Sequence, residues 1–418
     1  MRSARTRERA PLARHGRMRS PHPLLQAVSF VGVALVVGLA AVAGVVGFHV
    51  WDAATTISGN AVDIGEEGAV PPQFGEIEGG ANVLLVGTDS CEGQDLALFP
   101  RCGIDDDGGE RNDVTMLVHI SDDPRRVTVV SIPRDTYVQV PECENEDGDT
   151  FAGGRDKINA SYWHGGLACS VATVEELTGE QIQYAAAIRW TGVINLSDAV
   201  GGVDVCVQGD ISDRHTGLSL DAGTHTLQGV QALQFLRIRH GIGDGSDLGR
   251  ISNQQQFMSS LVRKLQSDAV FGDPATLLGF ASTAMAQVRE KQLVLDTHLA
   301  NPQTMVQIAM ALKDVPFEDI VFVQYPTAYS GDGLVPIRDA ADALFLALRE
   351  NRPLQLTGDA SGGFGVEVTG EAPAATPPAA EEPAASASPE APAEEAVELP
   401  SDIPGQSAAQ VTCTVPEG

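Results

Sequence analysis

Between residues 81 and 351 the chain alternates two patterns of apolar and polar positions. The first is a short apolar run bounded by turn residues. Examples are NVLLVG from Asn82, Val114–Ile120, Val127–Ile132, a run near Tyr184–Trp190, Gly201–Val207 and Ile320–Tyr325. Such runs read as strands, the first of them buried on both faces. The second pattern places apolar residues at helical spacing: Val171, Val174 and Leu177 before Gly179, then Val193–Val200, Gly229–Leu236, Met305–Leu312 and Ala340–Leu348. The longest such segment, LGRISNQQQFMSSLVRKL, offers Ile251, Phe257, Met258, Leu261 and Leu265 to a core. Strands and helices in alternation predict an α/β domain with a central mixed β-sheet flanked by helices.

The ends of the chain follow other rules. Residues 1–23 carry seven arginines against one acid, Glu8, and residues 24–50 carry no charge at all. That length of uncharged, mostly apolar sequence predicts one N-terminal transmembrane helix. The positive-inside rule then keeps the arginines in the cytoplasm and puts the rest outside the cell membrane. Residues 51–80 read as a linker off the membrane, 81–351 as the folded domain, and 352–418, rich in Ala, Pro and Glu, as a disordered tail.

A formal net charge of −29, with only four lysines, excludes nucleic acid as a partner. Six cysteines in an exported chain point to disulfides, since no spacing suits zinc. Cys91–Cys102 and Cys143–Cys169 close loops of ordinary length and leave Cys206 with Cys413, one of several connectivities that six cysteines allow.

The two runs Val114–Ile120 and Val127–Ile132 flank SDDPRR, a turn. Pairing them as a hairpin sets Arg111 and Asp113 beside Arg134 and Asp135, two cations and two carboxylates at one sheet edge. Asp89, Arg134 and the pair Arg237 and Arg239 each follow an apolar run, and ligands of open α/β sheets sit at such strand ends. Guanidinium forks match phosphate oxygens, and one or two carboxylates with phosphate suit Mg2+. The bland alternative is an ion-pair cluster at the edge of the sheet. No glycine-rich loop with a following Lys and no GxSxG is present, so neither a nucleotide triphosphatase of that kind nor a serine hydrolase is indicated.

NVLLVGTDS, RNDVTML, VVSIPRDTYV, KINASY, TVEELTG, DAVGGVDVCV, HTLQGVQALQFLRIRH and DLGRISNQQQF follow one another from Ala81 to Lys264 in an order that resembles LytR–CpsA–Psr domains of actinobacterial type. The resemblance implies a membrane-anchored, extracytoplasmic phosphotransferase. Such an enzyme moves a glycopolymer from a polyprenyl-pyrophosphate carrier onto peptidoglycan and releases polyprenyl phosphate. It further implies Asp89 and Asp113 as ligands of Mg2+, or Mn2+ in its place, and Arg134, Arg237 and Arg239 as pyrophosphate ligands. Asp247, Arg250 and Gln254 border the same site, and Arg111 either touches phosphate or orients Asp113. Asn253 stands where the family usually has Arg. Two rival readings use the same residues: a pyrophosphohydrolase that releases glycan to water, and a non-catalytic protein that binds the lipid carrier or a wall polymer.

Overall fold

The computed structural model describes residues 59–65, 77, 79–104, 109–145, 148–267, 274–360, 363–372, 396–401 and 403–417. The basic tail and the expected spanning segment, residues 1–50, lie outside the described residues. Among the described residues no helix is long and apolar enough to cross a membrane.

The elements that position the site are, in chain order, β1 (Ala81–Thr88), β2 (Asn112–Ile120), β3 (Val127–Ile132), α1 (Ser161–Thr178), β4 (Tyr184–Ile188), α2 (Trp190–Ala199), β5 (Val203–Val207), β6 (Gly223–Leu227), α3 (Gly229–Arg237), α4 (Asp247–Gln266), β7 (Leu293–Leu295), β8 (Ile320–Gln324), β9 (Val366–Glu371), β10 (Gly405–Ser407) and β11 (Gln410–Thr414). Seven strands form a mixed sheet in the order β7-β4-β1-β2-β3-β8-β10. β2 runs antiparallel to both β1 and β3, whereas β4 is parallel to β1 and β8 to β3. A smaller sheet has the order β6-β5-β11-β9.

Side chains alternate across the large sheet, as the strand period requires. Leu84, Val86, Leu117, Val130, Ile132 and Val323 face one core with Val171 and Val174 of α1 and with Leu344 and Phe345 of the helix Arg338–Arg349. Val83, Met116, Val118, Val129 and Phe322 face the other, with Ala311 and Val315. Both faces are covered, which is why these strands read as unbroken apolar runs rather than alternating ones. α1 ends on Gly179 at φ 72°, a left-handed cap that glycine adopts without strain.

Two expected boundaries give way. In the linker, Val62 hydrogen-bonds Leu295 and Thr297 through its backbone, and Ile77 is buried. The supposed tail is a larger departure. β10 pairs with β8, β11 joins the small sheet, and Leu399, Ile403 and Ala408 are almost wholly buried in the two main cores. The folded unit therefore does not stop at Asn351. Composition misled because the Ala/Pro/Glu run at 373–395, outside the described residues, dominates the average over a stretch whose last part carries regularly placed apolar residues. The disulfides are Cys91–Cys102, Cys143–Cys169 and Cys206–Cys413, the last tying β11 to β5.

Truncation after Asn351 should abolish cooperative folding. Burial of Leu399 and Ile403 stabilises by about 1.5–3 kcal/mol each. The Cys206–Cys413 link contributes about 5 kcal/mol on the chain-entropy account, and total stability is only about 5–15 kcal/mol. Thermal unfolding followed by circular dichroism tests this: a truncated chain melting within a few degrees of the full one would contradict it.

Candidate active site

Because β2 runs against β1 and β3, the C-terminal ends of β1 and β3 meet the start of β2. Asp89 follows β1, Asp113 opens β2 and Arg134 follows β3. A backbone clasp fixes the first two elements: Arg111 N donates to Asp89 Oδ1 at 2.8 Å and Asp89 N donates to Arg111 O at 3.2 Å. Arg134 Nη1 donates to Asp113 Oδ1 at 2.5 Å.

α4 supplies the second half. Ser246 caps it, accepting from Gly249 N at 3.2 Å, and Asp247 occupies its first turn, where the helix dipole favours an anion. Asp247 Oδ1 accepts from Arg239 Nη2 at 2.6 Å and lies 2.7 Å from Arg250 Nη2 and 3.7 Å from Arg134 Nε. Arg250, 4% exposed, also donates to the backbone carbonyl of Asp113 at 2.9 Å, tying α4 to β2. Three guanidiniums thus converge on Asp113 and Asp247, and a third carboxylate, Asp135, lies 3.7 Å from Arg134 Nε. Arg134 Nε, Arg250 Nε and Asp247 Oδ2 are buried without a hydrogen-bond partner in the protein, an arrangement that calls for an explanation in a native site.

The two strand-end acids titrate in opposite directions. Burial pushes the Asp89 carboxyl up, and the negative charge of Asp113 adds to this against the backbone hydrogen bond from Arg111. Burial also acts upward on Asp113, but the charges of Arg250 and Arg134, with a hydrogen bond from Arg134, outweigh it and hold its carboxyl below the ordinary range. Asp113 is thus held ionised by its arginines, while burial and the Asp113 charge make the ionised form of Asp89 less favourable than usual.

The remaining expected residues lie around this cluster. The Arg111 guanidinium lies 5.5 Å from the centroid of the Trp163 ring, and that of Arg237 lies 4.2 Å from the Trp190 ring. Gln254 is 3% exposed and its amide nitrogen donates to the Leu236 carbonyl at 2.8 Å, so it supports the turn that carries Arg237 and Arg239. Asp135 lies 3.7 Å from Arg134 Nε, where the hairpin puts it, and 3.2 Å from Lys157 Nζ. Two cavities, of about 460 Å³ beside Cys206 and Arg263 and about 130 Å³ beside His119 and Arg126, are lined by none of the candidate residues.

Sequence reasoning missed Arg189 and Glu110. Arg189 ends β4 at the same sheet edge and forks onto Glu110 at 3.0 and 2.7 Å, while Thr88 donates to Glu110. The signal was there: Arg189, like Arg134, is a charge directly after an apolar run. Asn253 stood out in the sequence only as a departure from the family pattern; its amide holds the Phe235 carbonyl and accepts from Thr414 on β11, a contact no local pattern reveals.

The donor set suits a hard cation. Asp89 and Asp113 are close enough for the charge of one to raise the pKa of the other, a repulsion that a cation relieves. Among the described residues no cluster of three or more His, Cys, Asp or Glu side chains fit to hold a metal occurs; one or two carboxylates are what Mg2+ commonly takes from a protein.

Residues 52–342 match the LytR_cpsA_psr family. The cell wall biosynthesis protein LcpA of Corynebacterium glutamicum is 29% identical over 351 residues, 78% of this chain and 64% of its own length. The polyisoprenyl-teichoic acid–peptidoglycan teichoic acid transferase TagU of Bacillus cereus is 34% identical over 181 residues, 42% of this chain and 56% of its own. The chain thus spans less than two thirds of the length of these relatives. The crystal structure of protein gbs0355 from Streptococcus agalactiae covers 65% of this chain and 87% of its own at a TM-score of 0.51 and 19% identity, a likeness of fold.

Asp113→Asn should destabilise the fold in a pH-dependent way. A carboxyl held below its unfolded value contributes stability above roughly pH 4, and that contribution disappears as the pH falls through the lowered folded value. The gap between wild type and Asp113→Asn in denaturant midpoint should be widest near neutrality and close in acid. A gap independent of pH from neutrality down to pH 3 would contradict the assigned ion pairing.

Proposed function

Since the chain belongs to the LytR_cpsA_psr family, we propose that it is a cell-wall glycopolymer transferase acting on a polyprenyl-pyrophosphate-linked donor, with peptidoglycan as acceptor. One observation carries the reading: Arg134, Arg239 and Arg250 converge on Asp113 and Asp247 at the strand ends, with buried polar atoms still lacking partners. An edge ion-pair cluster made only for stability would pair these buried polar atoms within the protein.

In this reading the diphosphate lies across Arg134 and Arg239, with Arg111 and Arg237 beside them, and Arg250 holds Asp113 and Asp247 in place. An acceptor sugar hydroxyl attacks the phosphorus attached to the glycan. A new P–O bond forms, the bridging P–O bond breaks, and polyprenyl phosphate departs with the electron pair. The hydroxyl proton passes to the carboxylate of Asp89 at the end of β1. The arginines meet charge developing on the leaving phosphate, preorganised so that little reorganisation is needed in the transition state. Asp89 and Asp113 would hold Mg2+, which when bound neutralises phosphate charge. The uncharged, apolar stretch 24–50 supports the reading, since a donor confined to the bilayer suits an anchored enzyme.

The test uses the full-length chain with a polyprenyl-pyrophosphate-linked saccharide, Mg2+ and peptidoglycan, measuring release of polyprenyl phosphate. Release should depend on the acceptor, and Arg134→Ala should lower it by about a hundredfold or more, the scale of one lost transition-state donor. Release independent of peptidoglycan would favour hydrolysis, and near-normal transfer by Arg134→Ala would end the assignment of this cluster.

A further inference from the structure

Directly after Asp89 the chain leaves the sheet edge in a loop that the chemistry above does not use. The loop is closed by Cys91–Cys102 and pinned to the domain at two points. Gln94 donates to the Gln292 side chain at 3.0 Å and accepts from Thr191 Oγ1 at 2.7 Å. Phe99 packs on Trp190 with ring centroids 4.8 Å apart. Around these pins stand apolar side chains that face solvent: Leu96 is 56% exposed, Leu98 48% and Ile104 80%. A Cβ at Gly103 would lie 3.7 Å from Leu96 Cδ1, so Leu96 lies against the chain beside Ile104. Trp163 of α1, 51% exposed, stands by Arg111 at the same sheet edge. A loop held in this way keeps its apolar tips in the open, and clustered apolar exposure of that kind marks a contact surface.

We propose that this loop docks on a lipid bilayer, with Leu96, Leu98 and Ile104 entering the acyl boundary. The site then opens at the level where a polyprenyl-pyrophosphate donor carries its phosphates, and Trp163 has the half-apolar ring that suits a membrane–water interface. The course of the chain favours this occupant. Gly59, where the described residues begin, stands nine positions after the uncharged stretch 24–50, and a connector of that length spans at most about 30 Å. Val62 then hydrogen-bonds Leu295 of β7, and Gln292, just before that three-residue strand, is the residue that holds the loop. The chain thus enters the domain beside the strand on which the loop is pinned. Charge sets the mode of contact. A chain of net charge −29 is repelled by anionic headgroups, so the attachment is apolar and insensitive to salt. The two acids of the loop are engaged within the protein, Glu92 with Arg189 at 2.9 Å and Asp95 with the Ala97 amide at 2.8 Å. The inference rests on the proposed reading of a donor confined to a bilayer.

The full-length chain, reconstituted into phosphatidylcholine vesicles with brominated acyl chains, provides the test. Emission of Ile104→Trp is compared with that of Leu346→Trp, a half-exposed position on the helix Arg338–Arg349, each after subtraction of the wild-type signal. Ile104→Trp should be quenched about twofold or more at low and high salt alike, and Leu346→Trp should not. Equal quenching at both positions, or none at position 104, would overturn the proposal. So would a change from dimer to monomer in Leu98→Asp/Ile104→Asp, which would give the patch to a second copy of the chain. In the same vesicles that double variant should need about tenfold more long-chain polyprenyl-pyrophosphate saccharide for half-maximal release, the scale of two apolar side chains withdrawn from lipid. With a water-soluble short-chain donor it should match the wild type, and melting temperatures show that it is folded. Equal losses on both donors would overturn the membrane role. Absence of release by the wild type from either donor would remove the transferase reading instead, and the quenching comparison then decides the lipid contact alone.

Discussion

One carboxylate oxygen, Asp247 Oδ1, makes it possible for three guanidiniums to share a sheet edge. It sits 2.6 Å from Arg239, 2.7 Å from Arg250 and 3.7 Å from Arg134. Unscreened by an anion, two such cations about 4 Å apart repel by roughly 4 kcal/mol at the effective dielectric of a protein surface. The cluster therefore exists only because Asp247 and Asp113 are held between the arginines, and each anion depends on an element far away in sequence. Asp247 is fixed by the first turn of α4 and its Ser246 cap. Asp113 is fixed by the antiparallel register of β2 with β1 and β3. Arg250 joins the two halves by touching Asp247 with its guanidinium and the Asp113 carbonyl at the same time.

What looked like a tail is part of that support. β11 reaches the buried face of α4 through Thr414, whose hydroxyl lies 2.5 Å from Asn253 Oδ1 and 2.6 Å from Gln256 Oε1, and Cys206–Cys413 holds β11 against β5. Asn253 and Gln254 then hold the carbonyls of Phe235 and Leu236, the last turn before Arg237 and Arg239. The polar run Ser252–Gln256 is buried almost completely, and its amides serve chain segments rather than solvent. Asn253 adds no charge in holding these segments together.

Much of this was legible in the sequence where chemistry is local. The hairpin register follows from two apolar runs and one turn, and it brought Asp113 to Arg134 without any knowledge of the fold. Strand ends pointed to Asp89 and Arg134, and the same rule applied once more would have found Arg189, whereas Arg237 and Arg239 lie at the end of helix α3. What escaped was nonlocal. β10 is three residues, Gly405–Ser407, with no strand pattern of its own, and it is a strand only because β8 offers an open edge. Gln254 belongs to a motif bordering the site, yet its amide points to a carbonyl. Only packing decides whether a polar side chain beside a site faces the ligand or the scaffold.

The central claim is that this cluster is a preassembled diphosphate site, and a crystal structure of the protein with Mg2+ and inorganic pyrophosphate tests it most directly. The account predicts diphosphate density in contact with Arg134 and Arg239, a cation between Asp89 and Asp113, and a backbone unchanged around β1, β2 and α4. Diphosphate bound elsewhere, with the contacts of Asp113 to Arg134 and of Asp247 to Arg239 intact and no density beside them, would contradict it.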